Sequence, residues 1–291
     1  MLNSANMRGA AFMTGAMTAF TINDTFVKLL GDSLPFFQFL VLRSLGAAVL
    51  MFLLAWRAGV LSLPNGTSDR KLILIRSLAE MAAAYFFLTA LIHMPLANVT
   101  AILQALPLTV ALGAAFFLKE DVGWKRFLAI GIGFVGVYLI VRPGSEGFSI
   151  YGVYALLAVV SVTIRDLAAR QFSDEVPSLT VAFYAVLAIL AFAGVGAAIG
   201  PEWQPVSGLD WLWLAGSIIT INLAYLFSVS AMRNGEIGFV SPFRYTSLIV
   251  ALILGFLVFG DWPDAITLFG AAIVVATGLF TLWRERQSAR L

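Results

Sequence analysis

EDVGWKRFLAIGIGFVGVYLIVR, residues 120–142, and DWPDAITLFGAAIVVATGLFTLWR, residues 261–284, share one plan. Each opens on an acidic residue, runs through an apolar stretch with a late glycine, and ends on arginine. Glu120 answers Asp261, Gly136 answers Gly278 and Arg142 answers Arg284. The offset is 141 or 142 residues (261 less 120, 278 less 136). It recurs upstream, where Asp24, Lys28 and Pro35 correspond to Asp166, Arg170 and Pro177. The second half therefore repeats the first. Each copy holds five apolar stretches, and an odd number of crossings makes the second copy insert upside down relative to the first.

Composition agrees with a membrane protein. Of 291 residues, 60% are hydrophobic and 12% charged, with a mean hydropathy of +0.94. A soluble domain averages about 25% charged residues, so this chain lacks the means to cover itself with a polar surface. A net charge of +2, with basic residues scattered between apolar runs, excludes a nucleic-acid face. With no Cys and a single His, His93, there are no disulfides, no thiolate metal site and no metal centre of any kind to expect. Arg8 alone precedes the first apolar run, and no small-residue cleavage site follows it, so the run reads as a retained span.

A helix needs about 20 mostly apolar residues to cross the hydrocarbon core. Ten such stretches can be drawn: 8–30, 35–56, 71–92, 96–118, 123–141, 150–170, 177–199, 209–232, 237–259 and 263–283. Turn signals join them, among them Gly31-Asp-Ser, Pro64-Asn-Gly, Arg142-Pro-Gly, Gly200-Pro, Asn234-Gly and Asp261-Trp-Pro-Asp. Orientation follows from Lys and Arg. With the N-terminus in the cytoplasm, Arg142 is the sole outer basic residue, Lys28, Arg43 and Arg244 lie within spans, and all others of the 18 fall inside. The outer loops carry Asp32, Glu146, Glu202, Asp210, Asp261 and Asp264 instead. Both termini are thus expected in the cytoplasm, with the chain in the cell (inner) membrane.

Residues 89–144, TALIHMPLANVTAILQALPLTVALGAAFFLKEDVGWKRFLAIGIGFVGVYLIVRPG, and 241–285, SPFRYTSLIVALILGFLVFGDWPDAITLFGAAIVVATGLFTLWRE, carry a family pattern. An Ala/Pro-rich fourth span closes on an acidic residue, and a Gly-rich fifth span ends in Gly-Val in the first copy, where the second has Gly278-Leu279. Both stretches resemble the EamA domain of the drug/metabolite transporter superfamily, and the resemblance covers essentially the whole chain. It implies an all-α integral membrane fold of ten transmembrane helices in two inverted five-helix EamA repeats, residues 8–141 and 150–284. It also implies secondary transport through a central cavity. Members move amino acids, nucleosides, vitamins, S-adenosylmethionine and other small metabolites in either direction.

Ionisable residues inside the membrane cost about 2.5–3.5 kcal/mol or more on insertion scales, so they normally face a partner or a wet cavity. Asp24 and Lys28 share one face in the outer half of span 1. Arg43 lies about 12 Å below the outer end of span 2, with Asp24 its natural carboxylate and Glu80 the alternative. Arg165, Asp166 and Arg170 fall in the inner half of span 6, and Arg244 about 10 Å above the inner edge of span 9. The pattern predicts an outer network of Asp24 and Arg43 and an inner one of Asp166 and Arg244, with Lys28 and Arg165 as candidate third members. One would close while the other opens; static pairs that hold helices together are the alternative.

Substrate candidates lie between the two layers: Glu80, Tyr85, Phe86, Gln104, Tyr184, Asn222, Tyr225 and Tyr245. Aromatic faces with a few directed polar groups suit a small polar-aromatic or cationic metabolite. For a lone Tyr or Phe, packing or lipid contact is the commoner role. Glu80 is expected to carry a coupling proton or to meet a cationic substrate, with a pairing to Arg76 as the structural alternative. Gly131, Gly133, Gly136, Gly270 and Gly278 suggest close helix packing, as scaffold or dimer surface. Pro107 and Pro242 suggest kinks, and Trp56, Trp203, Trp211, Trp213, Trp262 and Trp283 an interfacial belt. Asn23, Asn65 and Asn98 match the glycosylation pattern by chance.

The chain has no Gly-rich segment ending in Gly-Lys-Ser/Thr. Transport would therefore draw on a gradient, with a proton as coupling ion if Glu80 titrates, and needs no cofactor. An integral-membrane enzyme would show clustered His, Asp or Glu at one membrane face, and a channel or scaffold subunit would need no alternating gates. The expected partners are a small metabolite and the lipid bilayer, and the chain would act as a monomer or homodimer.

Overall fold

The computed structural model describes residues 4–61, 64, 66–119, 123–144, 148–173, 175–234 and 237–288. Of the residues named above, Asn65, Glu120, Glu146 and Gly235 and the side chain of Asn234 lie outside the described set, as do Arg290 and the side chains of Arg233 and Arg286 among the basic residues counted on the inner side. All described regular structure is helical. The first half comprises α1 (Ser4–Gly31), α2 (Phe36–Arg57), α3 (Thr67–His93), α4 (Leu96–Leu103), α5 (Leu106–Phe117) and α6 (Trp124–Val141). The second comprises α7 (Ile150–Ala169), α8 (Ser178–Ile199), α9 (Gly208–Asn234), α10 (Ile237–Val240), a 3-10 turn (Ser241–Tyr245), α11 (Thr246–Phe259) and α12 (Ala265–Ser288).

Local chemistry sets the boundaries. Pro35 and Pro177 stand at the start of α2 and α8 in extended backbone. Proline has no N–H to donate, so it costs least just before or at a first helical turn. Pro107 opens α5 and Pro242 opens the 3-10 turn, so the fourth and ninth apolar stretches are each broken, as the prolines predict. Gly260 closes α11 at φ +70°, a left-handed cap that costs glycine nothing.

Among the described residues, nine helical segments are long and apolar enough to cross a membrane. Helix α1, 28 residues long, is the exception. It is enclosed between α9 and α11, with Met13, Ala16, Thr21, Asn23, Val27 and Leu30 all buried. A helix surrounded by protein is free to carry Thr, Asn, Asp and Lys where a lipid-facing one is not. The expected tryptophan belt is exposed except at Trp213, which stacks on Phe26 at 5.6 Å.

The packing is symmetric between the halves. Helix α1 lies along α9 and its counterpart α7 along α3; α6 pairs with α12, α2 with α8, and α4 with α11. Exchanging the halves maps these pairings onto themselves. Equivalent helices run antiparallel: Gly133 faces Thr277, Gly136 faces Ile273 and Val274, and Gly270 faces Ile140. Phe37 likewise meets Phe192 while Phe52 meets Phe183.

The α6–α12 contact depends on two glycines. A Cβ at Gly136 would stand 2.7 Å from the Gly270 carbonyl oxygen, and one at Gly270 would stand 2.6 Å from the Gly136 oxygen. No rotamer change relieves a clash with backbone, so the helices would have to separate. Gly131, expected to pack like its neighbours, meets nothing within 4 Å. At the C-terminal end of α6 Arg142 bridges to Asp264, whose carboxylate also accepts the Thr267 backbone N–H at 2.8 Å.

Two outcomes follow for stability. Gly136→Val should cost about 1–3 kcal/mol and lower the apparent Tm in a thermal-shift assay, while Gly131→Ala should leave it level or slightly higher. The Thr267 N–H and Arg142 hold the Asp264 carboxyl below its ordinary 3.8. A depressed folded value means this contribution is complete above the ordinary value and fades as pH falls through the lower, folded one. Asp264 is 57% exposed, so the effect is small: Tm should dip slightly below about pH 4, and Asp264→Asn should remove that dip.

Candidate functional site

Glu80 stands midway along α3. Opposite it on α7, Arg165 donates from Nη1 to Glu80 Oε1 at 3.3 Å and from Nε to Asp166 Oδ1 at 2.9 Å. Arg76, one turn from Glu80 on α3, holds its Nη2 3.9 Å from Oε2. Two guanidinium groups and two carboxylates thus balance within one cluster, and its main bridge joins the first half to the second. Their side chains retain 14–32% exposure. Charges at this depth do not persist against lipid, so they face a polar cleft inside the bundle.

A second pair lies nearer the end of the bundle where α1 turns into α2. From Asp24 to the end of α1 at Gly31, and from Phe36 to Arg43 on α2, the helix runs an equal length of about 10 Å. Asn23 Nδ2 donates to Asp24 Oδ1 at 3.0 Å, and Asn23 Oδ1 is held by Ser217 Oγ of α9 at 2.9 Å. Arg43 lies within electrostatic reach of Asp24 and Tyr225. Tyr225 on α9 is also within electrostatic reach of Glu80, Arg165 and Arg76. Its ring meets Phe20 edge-on at 5.5 Å.

The half of the bundle toward the α1–α2 turn is closed by apolar side chains. Val27, Leu30, Phe39, Leu40, Leu88, Leu91 and Leu214 form one buried apolar cluster drawn from both halves. Lys28 is fixed in the same region. Its Nζ donates to the carbonyls of Leu91, Ile92 and Met94 at 3.1, 3.3 and 2.7 Å and lies 5.3 Å from the Phe259 ring centre. A cation on the last carbonyls of α3 satisfies the acceptors that every helix end leaves open.

The geometry redraws the expected networks. Asp166 takes Arg165, not Arg244, as partner, and Arg244 is exposed. The two networks differ because α7 carries Arg165 toward α3 rather than toward the ninth stretch. Lys28 serves α3 instead of Asp24, and Arg43 does not touch Asp24. Glu80 is bound to Arg165 as well as to Arg76, a link that neighbouring positions in the chain do not advertise.

The substrate candidates divide. Tyr225 and Glu80 share the cleft. Tyr85 and Phe86 pack at 6.2 and 5.5 Å against Tyr154 of α7, an aromatic partner the sequence did not single out. Tyr184 donates to the Leu61 carbonyl at 3.1 Å and Asn222 to the Ile218 carbonyl at 2.7 Å, so both are engaged with backbone. Gln104, at the α4–α5 break, donates to Ser247 Oγ at 2.8 Å. Tyr245, at the equivalent break, is 7% exposed, packs on Gly278 and leaves its hydroxyl unpartnered. A separate apolar cleft of about 400 Å³ lies between α4, α11 and α12, with Thr267, the neighbour of the Arg142–Asp264 bridge, in its lining.

Apolar helices in two antiparallel copies, with opposed charges held at mid-depth, define a multi-pass membrane transporter rather than an enzyme. The chain belongs to the EamA-like transporter family, whose model matches residues 7–142 and 150–283. It is similar to the S-adenosylmethionine uptake transporter of Rickettsia felis, at 24% identity over 97% of this chain and 95% of that one. It is 29% identical to the riboflavin transporter of Vibrio cholerae over 75% and 73%. It is 26% identical to the pseudopaline exporter CntI of Pseudomonas aeruginosa over 89% and 90%. A solved crystal structure, 19% identical, shares the fold with a TM-score of 0.62 over 94% of this chain and 98% of that one. The protein is thus a small-metabolite transporter.

The central bridge makes a measurable demand. Arg165→Ala should strip Glu80 of its nearer partner and leave a buried carboxylate under-compensated. The Tm of that variant should fall further than that of the Glu80→Gln/Arg165→Gln double variant, in which the two charges left in the cluster, Arg76 and Asp166, still balance. Equal losses would mean the two side chains do not interact.

Proposed function

We propose that this protein is a secondary-active carrier that moves a small organic metabolite by alternating access between inverted repeats, residues 8–141 and 150–284. In this reading α1 is the tenth span, both termini are cytoplasmic, and Glu80 is the site of a coupling proton. The observation that carries the reading is the Glu80–Arg165 bridge, a mid-depth contact from one repeat to the other at 3.3 Å. Protonating Glu80 would remove the charge that holds Arg165, so proton occupancy and the relative position of the repeats would be linked.

The sealed outer cluster and the partly exposed Glu80, Arg76, Arg165 and Asp166 support an inward-facing state. In the opposite state the inner ends would close and the Val27–Leu214 cluster would part. The antiparallel pairing of equivalent helices supports such an exchange, because each repeat can adopt the arrangement of the other. S-adenosylmethionine, riboflavin and pseudopaline, the molecules for which the relatives are named, bound the size and polarity of the cargo.

The chain has no cysteine of its own, so single cysteines report cleanly. Asp166→Cys should react with a membrane-impermeant maleimide from the cytoplasmic side, and Leu91→Cys from neither side in the state described here. In proteoliposomes, wild-type protein should accumulate S-adenosylmethionine or riboflavin against a pH gradient. Glu80→Gln should lose gradient-driven accumulation while slower exchange persists. Non-saturating, voltage-driven flux would contradict a carrier.

A further inference from the structure

We propose that Asp24 and Arg43 form an open zwitterion site that anchors the ammonium and carboxylate of an amino-acid-bearing substrate. This rests on the carrier reading and goes beyond it by naming the head group that the cleft recognises.

Arg43 is the decisive residue. Among the described residues it makes no hydrogen bond and no ion pair, and its Nε is buried without a partner. A guanidinium offers five donors and stays charged at any relevant pH. At about 10 Å below the helix end, leaving it unmatched is costly. Lys28 is matched by three carbonyls and Arg165 by two carboxylates, and Arg76, whose Nη1 is also buried without a partner, still has the Glu80 carboxylate 3.9 Å away. Arg43 therefore awaits an acceptor that the chain does not provide.

Asp24 supplies the opposite charge at the same depth on the adjacent helix. Its one hydrogen bond is to the neighbouring Asn23 amide, which Ser217 in turn orients. The two charges feel each other, yet no nitrogen of Arg43 comes within 4.0 Å of an Asp24 oxygen. A structural ion pair would close that gap. A separated cation and anion at equal depth fit a ligand that carries both signs on adjacent atoms, with the carboxylate toward Arg43 and the ammonium toward Asp24. Bidentate recognition of a planar carboxylate suits the guanidinium fork. Tyr225, 43% exposed, and Phe20 beside it would wall the rest of the molecule. The Glu80–Arg165 cluster below is internally balanced and adds little to the choice of head group.

The full chain in nanodiscs can be titrated with S-adenosylmethionine, L-phenylalanine and L-methionine. Phenethylamine, which lacks the carboxylate, 3-phenylpropionate, which lacks the ammonium, and riboflavin, which has neither, serve as comparisons. At least one amino-acid compound should bind. Arg43→Gln should weaken it by about tenfold or more, Asp24→Asn should also weaken it, and Arg43→Lys should restore part of the loss. Phenethylamine, if it binds, should be indifferent to Arg43→Gln, a readout that misfolding would not reproduce. The site is refuted if no amino-acid compound binds, or if Arg43→Gln leaves the affinity of a bound one unchanged. Riboflavin counterflow without amino-acid binding would refute the site and leave the carrier reading standing. No counterflow of any probe would count against the carrier itself.

Discussion

Charge inside a bilayer needs a partner, and in this protein that need falls chiefly on Arg165. Its guanidinium is held between Glu80 on α3 and Asp166 on its own helix. The desolvation cost of these groups is offset only when they meet, so α3 and α7 must pack along one another. Their counterparts α9 and α1 pack the same way, with Asn23 and Ser217 taking the place of the ion pair. The cleft between these two helix pairs is where Glu80, Tyr225, Asp24 and Arg43 come together.

The remaining helices serve as frame. Gly136 and Gly270 bring α6 and α12 to backbone contact, and the apolar cluster around Phe39, Leu40 and Leu91 closes the half of the bundle toward the α1–α2 turn. Broken helices at Gln104 and Tyr245 stand at equivalent points, each created by a proline a few residues away. Irregular backbone is tolerated at membrane depth only where protein surrounds it, and both breaks are buried. The chain thus combines rigid outer pairs with an inner cleft whose charges are partly exposed, an arrangement suited to a cargo that must leave again.

Much of this was legible in the residues. Glycines spaced along the fifth and tenth stretches announced a close contact, although Gly131 proved to face open space. Prolines marked the helix starts and breaks. The depth of Glu80 and Arg165 could be counted from the span ends, but their meeting could not, because helix rotation and neighbour choice are set by packing across the whole bundle. Lys28 takes carbonyl partners for a related reason. Asp24 is its neighbour on one helix face, yet the carbonyls at the end of α3 offered it three acceptors in place of one carboxylate.

The sequence by itself determined the all-helical membrane class, the repeat, the family and the set of charges that had to be accommodated, because hydropathy, periodic offset and residue type are local properties. Only the tertiary structure decided which charge meets which. Pairing depends on how helices rotate about their axes and which neighbours they take, and a rotation of one residue, about 100°, turns a side chain from lipid to cleft. That is why Arg165 found Glu80 while Arg43, with a carboxylate in sight at the same depth, was left without a bond.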